Sequence, residues 1–284
     1  MGARLITAMW GGQVPELPEV ETTVRGVRPA VVDRRIEAVR VRERRLRWPV
    51  SRGLSRILAQ KRVVTVSRRA KYILLNFSHG TLMIHLGMSG RLRVVPADTP
   101  YVKHDHVDLV FDSGRALRFH DPRRFGSVLW VAEDYRNSRL IKGLGPEPFD
   151  PALTGSVLHQ VSRRRRTSIK QFVMDSRIVV GVGNIYASES LFRAGIRPGR
   201  AAGRVTLSQY EGLLDAIRQV LSEAIEAGGT TLRDYSRVTG EPGYFEQSLD
   251  VYERAGCPCV NCATPIRRKV IGQRASYYCP RCQS

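Results

Sequence analysis

Apolar and polar residues alternate with a period of two through most of the first half of the chain. Apolar side chains share strand faces in four segments: Leu82, Ile84 and Leu86; Leu92 and Val94; Val107, Leu109 and Phe111; and Leu117 and Phe119. Turn residues such as Ser113 and Gly114 separate the segments. Short alternating strands joined by turns are typical of an antiparallel β-sandwich or barrel. The pattern therefore predicts such a fold over residues 35–131, led by a helix over residues 17–31.

The period changes to 3.6 beyond residues 143–151, a stretch rich in Gly and Pro that indicates a boundary. Thr206 and Gln209 form a predicted capping box for a long helix, which Gly228 and Gly229 end. Shorter helices are predicted over residues 169–174 and 185–193, and short strands return after residue 248. The apolar face of the long helix comprises Leu207, Tyr210, Leu213, Leu214, Ile217, Val220, Leu221 and Ile225. The fold class predicted for the whole chain is α+β.

The cysteines near the end of the chain have the spacing of a metal site. Cys259-x2-Cys262-x16-Cys279-x2-Cys282 places two pairs of thiolates around a segment that suits a β-hairpin. Four protein ligands fill a tetrahedral zinc site, so the predicted zinc is one structural ion with no position for water. Cys257 is the odd cysteine, and we interpret it as a spectator.

The charge balance is strongly basic, with 46 Lys and Arg against 26 Asp and Glu and a net charge of +20. Such a field favours a polyanionic partner, usually nucleic acid. A high GC content of the genome can also enrich arginine without any functional reason. An anionic membrane is a second kind of partner that a basic protein can bind. No apolar run approaches the roughly 20 residues of a membrane helix, and no amphipathic anchor is evident. Paired C-x2-C units argue against a disulfide scaffold, which favours a cytoplasmic protein.

Residues 15–21 read PELPEVE and combine a proline with an adjacent glutamate. A terminal proline carries a secondary amine that is partly unprotonated near neutral pH, whereas an internal proline nitrogen is an amide and not a nucleophile. Fourteen residues precede Pro15 here. The plainer interpretation of this run is a helix start, with Pro18 and acidic residues in the first turn. A helix start can also carry a catalytic residue, so the two interpretations are compatible.

The PELPEVE run resembles the N-terminus of formamidopyrimidine-DNA glycosylases, where it follows the initiator methionine directly. The sister family, endonuclease VIII, has a glycine in place of Leu17. The resemblance extends from Pro15 to Ser284, and only residues 1–14 depart from it. They are too short and too weakly charged for a secretory signal. We expect that they are not part of the working protein, with Val14 as an alternative start codon whose methionine is trimmed to expose Pro15.

A loop at residues 121–126 presents Phe125 beside the arginines 123 and 124, an arrangement that suits a flat or anionic partner. Enzymes that act on a single base extrude it from the stack and fill the gap. The resemblance implies that Met88, Arg123 and Phe125 fill that gap. Met88 alone is more typical of a core methionine, but glycines flank its turn.

The resemblance also implies roles for residues that would otherwise be interpreted as solvated surface or as caps. It places Lys71 and Arg274 with Pro15 and Glu16 in catalysis, and it assigns phosphate contacts to His104, Arg165 and Asn184. His104 and His106 could alternatively share a metal, although no further ligand supports one. Asn184 could simply cap a helix after Gly181 and Gly183.

The family's organisation implies a β-sandwich domain over residues 15–142, a linker over 143–151 and a helix–two-turn–helix domain over 152–235. A lesion-capping loop over 236–248 and a zinc finger over 249–284 complete it. The implied activity is a monomeric glycosylase and abasic-site lyase that excises 8-oxoguanine and formamidopyrimidines from double-stranded DNA, in the cytoplasm and associated with the nucleoid. Two alternatives stay open: an endonuclease VIII-like preference for oxidised pyrimidines, and a non-catalytic lesion-binding protein if residues 1–14 are retained.

Overall fold

The computed structural model describes residues 15–228 and 249–284. The predicted N-terminal segment 1–14 and the predicted capping loop 236–248 lie outside the described residues. Helix α1 spans Leu17–Val31. It begins where the Glu16 backbone N–H donates to the Glu19 carboxylate at 2.8 Å, with Pro18 in its first turn. The helix expected over 17–31 is therefore present.

Two four-stranded antiparallel sheets follow α1 and pack face to face. The first has the order β1-β6-β7-β5 and the second the order β2-β3-β4-β8. A short helix, α2 (Leu54–Leu58), lies between β1 and β2. The strands are β1 (Ile36–Val41), β2 (Thr65–Arg69), β3 (Tyr72–Asn76), β4 (Thr81–His85), β5 (Arg91–Pro96), β6 (Asp105–Phe111), β7 (Arg115–His120) and β8 (Ser127–Val131). The apolar faces read from the sequence meet in one core between the sheets, which confirms the sandwich.

Strand β6 is buried on both faces, including the face that turns away from the core between the sheets. The alternation of apolar and polar residues in the sequence does not indicate that this polar face is buried. Arg118 on β7 is 2% exposed and donates to both carboxylate oxygens of Asp108 at 3.0 Å. Its Nη1 also lies 3.4 Å from Asp105. Buried charges of this kind persist only when they are paired and hydrogen-bonded. The two aspartates of β6 thus belong to an internal ion network.

Four helices form a second core. They are α3 (Gly155–Ser162), α4 (Ile169–Met174), α5 (Asn184–Arg193) and α6 (Leu207–Glu226). Three of them occupy the predicted positions, and the first, α3, was not predicted. The capping box of α6 is present, because Thr206 and Gln209 each bind the other's backbone N–H. Leu17 packs into this second core, whereas Val20 and Val24 of the same helix pack into the sandwich core. Helix α1 therefore joins the two cores at its first turn.

The C-terminal hairpin consists of β9 (Arg267–Ile271) and β10 (Arg274–Tyr278). Gly272 and Gln273 form its turn with φ values of +55° and +61°. Cys259 and Cys279 are buried in a third apolar cluster with Phe192 of α5, so the hairpin is packed against the helical core. Within the described ranges, no helix combines the length and apolar character needed to span a membrane.

Candidate active site and DNA interface

Pro15 and Glu16 lie at the junction of the two cores, directly against the start of α5. The Gly183 and Ile185 backbone N–H groups donate to the Glu16 carboxylate at 2.7 and 3.1 Å. A Cβ on Gly183 would lie 2.2 Å from the Glu16 carboxyl carbon, and one on Gly181 would lie 2.5 Å from Leu17. The two glycines are needed because these side chains approach the loop so closely. The resemblance assigns a phosphate contact to Asn184 at this helix start; the neighbouring Gly183 and Ile185 N–H groups hold the Glu16 carboxylate.

Burial raises the pKa of Glu16 from 4.5 to about 7. Lys71 and the two N–H donors lower the pKa, while the neighbouring Glu19 raises it. Desolvation disfavours the charged carboxylate more than these groups favour it. A carboxyl group with a pKa near neutrality can both give and take a proton in the cell, as general acid–base catalysis requires.

Lys71 stands in the turn between β2 and β3, one residue before β3 begins. Ala70 adopts φ +53° in this turn. Glu147 fixes the turn from the linker: its carboxylate accepts the Ala70 N–H at 2.7 Å and contacts Arg68 at 2.7 Å and Arg69 at 2.8 Å. Glu147 was not singled out in the sequence, because a glutamate in a Pro-rich linker carries no pattern that indicates this contact.

Arg274 is the first residue of strand β10, and its charge lies close enough to Lys170 to add to the effect of burial in lowering the pKa of that lysine. Lys170 of α4 holds the adjacent backbone, since its Nζ donates to the Ala275 carbonyl at 2.9 Å and to the Ser276 hydroxyl at 2.8 Å. Burial lowers the pKa of Lys170 to about 7, with Glu16 raising it and Arg274 lowering it further. Lys170 therefore links the hairpin to the helical core beside Glu16.

Met88, Arg123 and Phe125 come together in one cleft of about 780 Å³, although they belong to two turns. Phe125 is 42% exposed, and the Arg123 guanidinium lies 5.0 Å from the centre of its ring. The residues lining the cleft are Arg45, Arg47, His85, Gly87, Met88, Arg123, Arg124, Phe125 and Arg274. The lining combines five arginines with the apolar side chains of Met88 and Phe125, which suits a nucleic acid with an opened base stack.

The three predicted phosphate contacts lie in different surroundings. His104 has φ +77°, and its ring lies 6.2 Å from that of His106 and 6.0 Å from that of His120. Arg165 is exposed, with its Nε donating to the Val161 carbonyl at 3.0 Å. The Asn184 amide donates to the Tyr252 hydroxyl at 3.3 Å. Their roles toward DNA stay predictions.

The four cysteines of the paired motif form a metal-binding cluster. Their Sγ atoms all lie within 4.8 Å of one another, with Cys259 to Cys282 at 3.9 Å and Cys262 to Cys279 at 3.5 Å. Zinc–sulfur bonds of about 2.3 Å in a tetrahedron give sulfur separations of about 3.8 Å. The cluster fits one structural zinc, which confirms the predicted cofactor. Elsewhere in residues 15–228 and 249–284 no such ligand group occurs, so no third ligand supports a histidine metal site.

Comparisons with known proteins agree with this architecture. Family models match the formamidopyrimidine-DNA glycosylase N-terminal domain over residues 14–128, its H2TH domain over 144–236, and the zinc finger found in FPG and IleRS over 256–284. Formamidopyrimidine-DNA glycosylase of Syntrophotalea carbinolica is 58% identical over 270 residues, covering 95% of this chain and 100% of that protein.

Solved structures of the Lactococcus lactis Fpg are similar in fold. Its complex with abasic-site DNA has a TM-score of 0.88 at 31% identity and covers 95% of this chain and 99% of that one. Its complex with DNA containing N7-benzyl-Fapy-dG has a TM-score of 0.87 at 30% identity, covering 95% and 100%. With this fold, the four-cysteine finger and 58% identity along the whole of a curated relative, the chain belongs to the formamidopyrimidine-DNA glycosylase family.

Proposed function

We propose that this protein excises 8-oxoguanine and formamidopyrimidines from double-stranded DNA through a covalent bond to Pro15, and then cleaves the abasic strand. The observation that carries the proposal is the placement of Pro15 and Glu16. They lie where the two cores meet, with the Glu16 carboxylate on the start of α5 and Lys71 close enough to shift its pKa. The related Lactococcus lactis proteins bound to abasic-site and Fapy-dG DNA support the substrate class.

The Pro15 nitrogen supplies the electron pair for a new bond to the sugar carbon C1′, and the bond from C1′ to the damaged base breaks. The base leaves with the electron pair of that bond, and the proton that the Pro15 nitrogen loses neutralises it. Glu16, whose carboxyl group is buried at the junction of the two cores, donates a proton to the sugar ring oxygen as the ring opens, and an iminium ion forms between Pro15 and C1′. The Glu16 carboxylate is then available to accept a proton in later steps. Lys71, at the neighbouring turn, assists near the leaving base or its phosphate.

This chemistry requires a free secondary amine at Pro15. While residue 14 is attached, the nitrogen is an amide and its electron pair is delocalised into the carbonyl. Active protein therefore begins at Pro15, either because translation starts at position 14 and the methionine is removed, or because residues 1–14 are cleaved. Mass spectrometry of the protein made from its native gene tests this step, and a terminus at Met1 or Gly2 in active enzyme would refute it.

DNA binding uses the basic cleft and the predicted phosphate contacts His104, Arg165 and Asn184. Met88, Arg123 and Phe125 enter the duplex at the position that the extruded nucleotide leaves. Successive β- and δ-eliminations then break the phosphodiester on each side of the sugar, with Arg274 contacting the phosphate in the final step. Zinc supplies no reaction chemistry when bound, because four thiolates fill its coordination; it holds the hairpin that carries Arg274.

Borohydride trapping on a duplex with a single 8-oxoguanine tests the proposal, because it reduces the iminium ion to a stable cross-link. A protein starting at Pro15 should cross-link and cleave, and the full-length chain should bind without cross-linking. A Pro15→Ala version tests the secondary amine, and it should lose most of the cross-link. If the Pro15-initiated protein binds the duplex but never cross-links, the chain is a lesion-binding protein and the enzymatic proposal is wrong.

A further inference from the structure

The residues proposed to enter the duplex come from two turns far apart in the sequence. Met88 follows strand β4, whereas Arg123 and Phe125 follow strand β7. Three side chains that fill one gap in a base stack must keep a fixed spacing, since a displacement of about 1 Å misplaces groups that act together. A structural element must therefore hold the two turns together.

The carboxylate of Asp121 makes this connection. Asp121 is fully buried, at 0% exposed. Its Oδ1 accepts the Ser89 hydroxyl at 2.6 Å, next to Met88, and the Arg123 backbone N–H at 3.3 Å. Its Oδ2 accepts the Gly126 backbone N–H at 2.8 Å, next to Phe125. One side chain thus binds the first turn through Ser89 and both ends of the second turn.

The backbones of the two turns are already in direct contact. A Cβ on Gly87, which has φ +66°, would lie 2.4 Å from the Phe125 carbonyl carbon and 2.5 Å from the Gly126 nitrogen. The Ser89 hydroxyl also accepts the Arg123 backbone N–H at 3.2 Å. The turns therefore pack without space for a side chain between them, and the Asp121 hydrogen bonds fix their register.

The backbone of Asp121 extends the connection to the predicted phosphate contact. Its N–H donates to the His104 carbonyl at 3.0 Å, and the ring of buried His106 donates to the Asp121 carbonyl at 2.7 Å. His104 stands in the left-handed region, so a fixed carbonyl direction helps to hold its unusual backbone. Asp121 is therefore bonded to both turns and to the segment that carries His104.

We propose that Asp121 is a positioning residue for base extrusion: its buried carboxylate holds Met88, Arg123 and Phe125 as one rigid unit. The inference rests on the proposed function, in which these side chains fill the gap in the duplex. Asp121 touches no reacting atom, so its loss should slow the opening of the base stack and leave the chemistry at Pro15 intact. A residue needed only for folding would affect every substrate alike.

The experiment compares two substrates with a Pro15-initiated protein. One is a duplex with 8-oxoguanine, which must be extruded; the other is a single strand with an abasic site, from which no base has to be extruded. Asp121→Ala should lower single-turnover cleavage of the duplex at least about tenfold, the change expected when a charge-assisted hydrogen bond is lost. Borohydride trapping of the abasic single strand should change less than about twofold.

Ser89→Ala provides a second variant that removes only the link from Asp121 to the Met88 turn. Because Ser89 is half-buried in a turn, its truncation should leave folding intact while shifting the ratio of the two rates in the same direction, by less than Asp121→Ala. Asp112→Asn is the matched control. Asp112 is exposed at the other end of the β6–β7 hairpin, and its replacement should leave both rates unchanged.

Fluorescence of 2-aminopurine placed beside the lesion supplies a readout of stack opening itself, which should slow in parallel with duplex cleavage. Equal losses on both substrates in Ser89→Ala, or no loss in either variant, would overturn the role of Asp121. If the unmodified Pro15-initiated protein processed neither substrate, the proposed function itself would fail, so the two failures are distinguishable.

Discussion

Replacing Glu16 with glutamine tests the electrostatics of the junction between the two cores. Glu16→Gln keeps the size of the side chain and removes its titration. In the full-length chain, burial raises the pKa of Glu16 from 4.5 to about 7. The folded protein therefore holds the Glu16 proton more tightly than the unfolded chain does. Stability from this group is complete below pH 4.5 and is lost as the pH rises through 7.

The size of the pH-dependent change in stability follows from the shift in the pKa of Glu16. The difference between 4.5 and about 7, at 1.36 kcal/mol per pKa unit, corresponds to about 3 kcal/mol. Glutamine offers one carbonyl oxygen to the two N–H groups of Gly183 and Ile185, which changes stability by an amount that does not depend on pH. The free energy of unfolding of Glu16→Gln minus that of the unmodified chain should therefore rise by about 3 kcal/mol between pH 4.5 and pH 8.

Denaturant unfolding of both proteins at matched ionic strength, in steps of pH, measures this difference. The other titrating groups are shared, so their contributions cancel except at Lys170, whose pKa Glu16 raises. A ¹³C NMR titration provides the direct control: a glutamate carboxyl signal with a midpoint near 7 should disappear in Glu16→Gln. A difference that stays flat with pH, or that falls as pH rises, would show that Glu16 is ionised at neutral pH in the full-length chain and that burial does not raise its pKa.

Three further outcomes are expected. Cys279→Ser should unfold the zinc finger and weaken binding to a lesion duplex in fluorescence anisotropy, and unchanged affinity would contradict a structural zinc. Arg118→Met should lower the free energy of unfolding by about 3 kcal/mol in denaturant titrations, because it removes two hydrogen bonds to the buried Asp108 carboxylate and leaves it paired with Arg42 alone among the described residues; an unchanged midpoint would be inconsistent with the ion network. Gly183→Ala should reduce borohydride trapping of Pro15-initiated protein at least about tenfold, since its Cβ would displace Glu16, and unaltered trapping would argue against that contact.

Local patterns in the sequence determined the elements and the zinc site. The helix over residues 17–31, the capping box at Thr206 and the two strand-rich regions follow from periodicity and caps, which depend on neighbours a few residues apart. The zinc site formed by the four cysteines was predictable from their spacing for the same reason. Each C-x2-C pair is local, and the hairpin that joins the pairs is short.

Only the tertiary structure decided which distant residues act together. Asp121 precedes a proline and resembles an ordinary turn aspartate, yet it connects Met88 to Phe125. The N–H group of Gly183, at the start of α5, holds the carboxylate of Glu16, which lies 167 residues earlier in the chain. Burial and pairing of these polar groups arise from contacts between elements, so they cannot be predicted from the periodicity within one element.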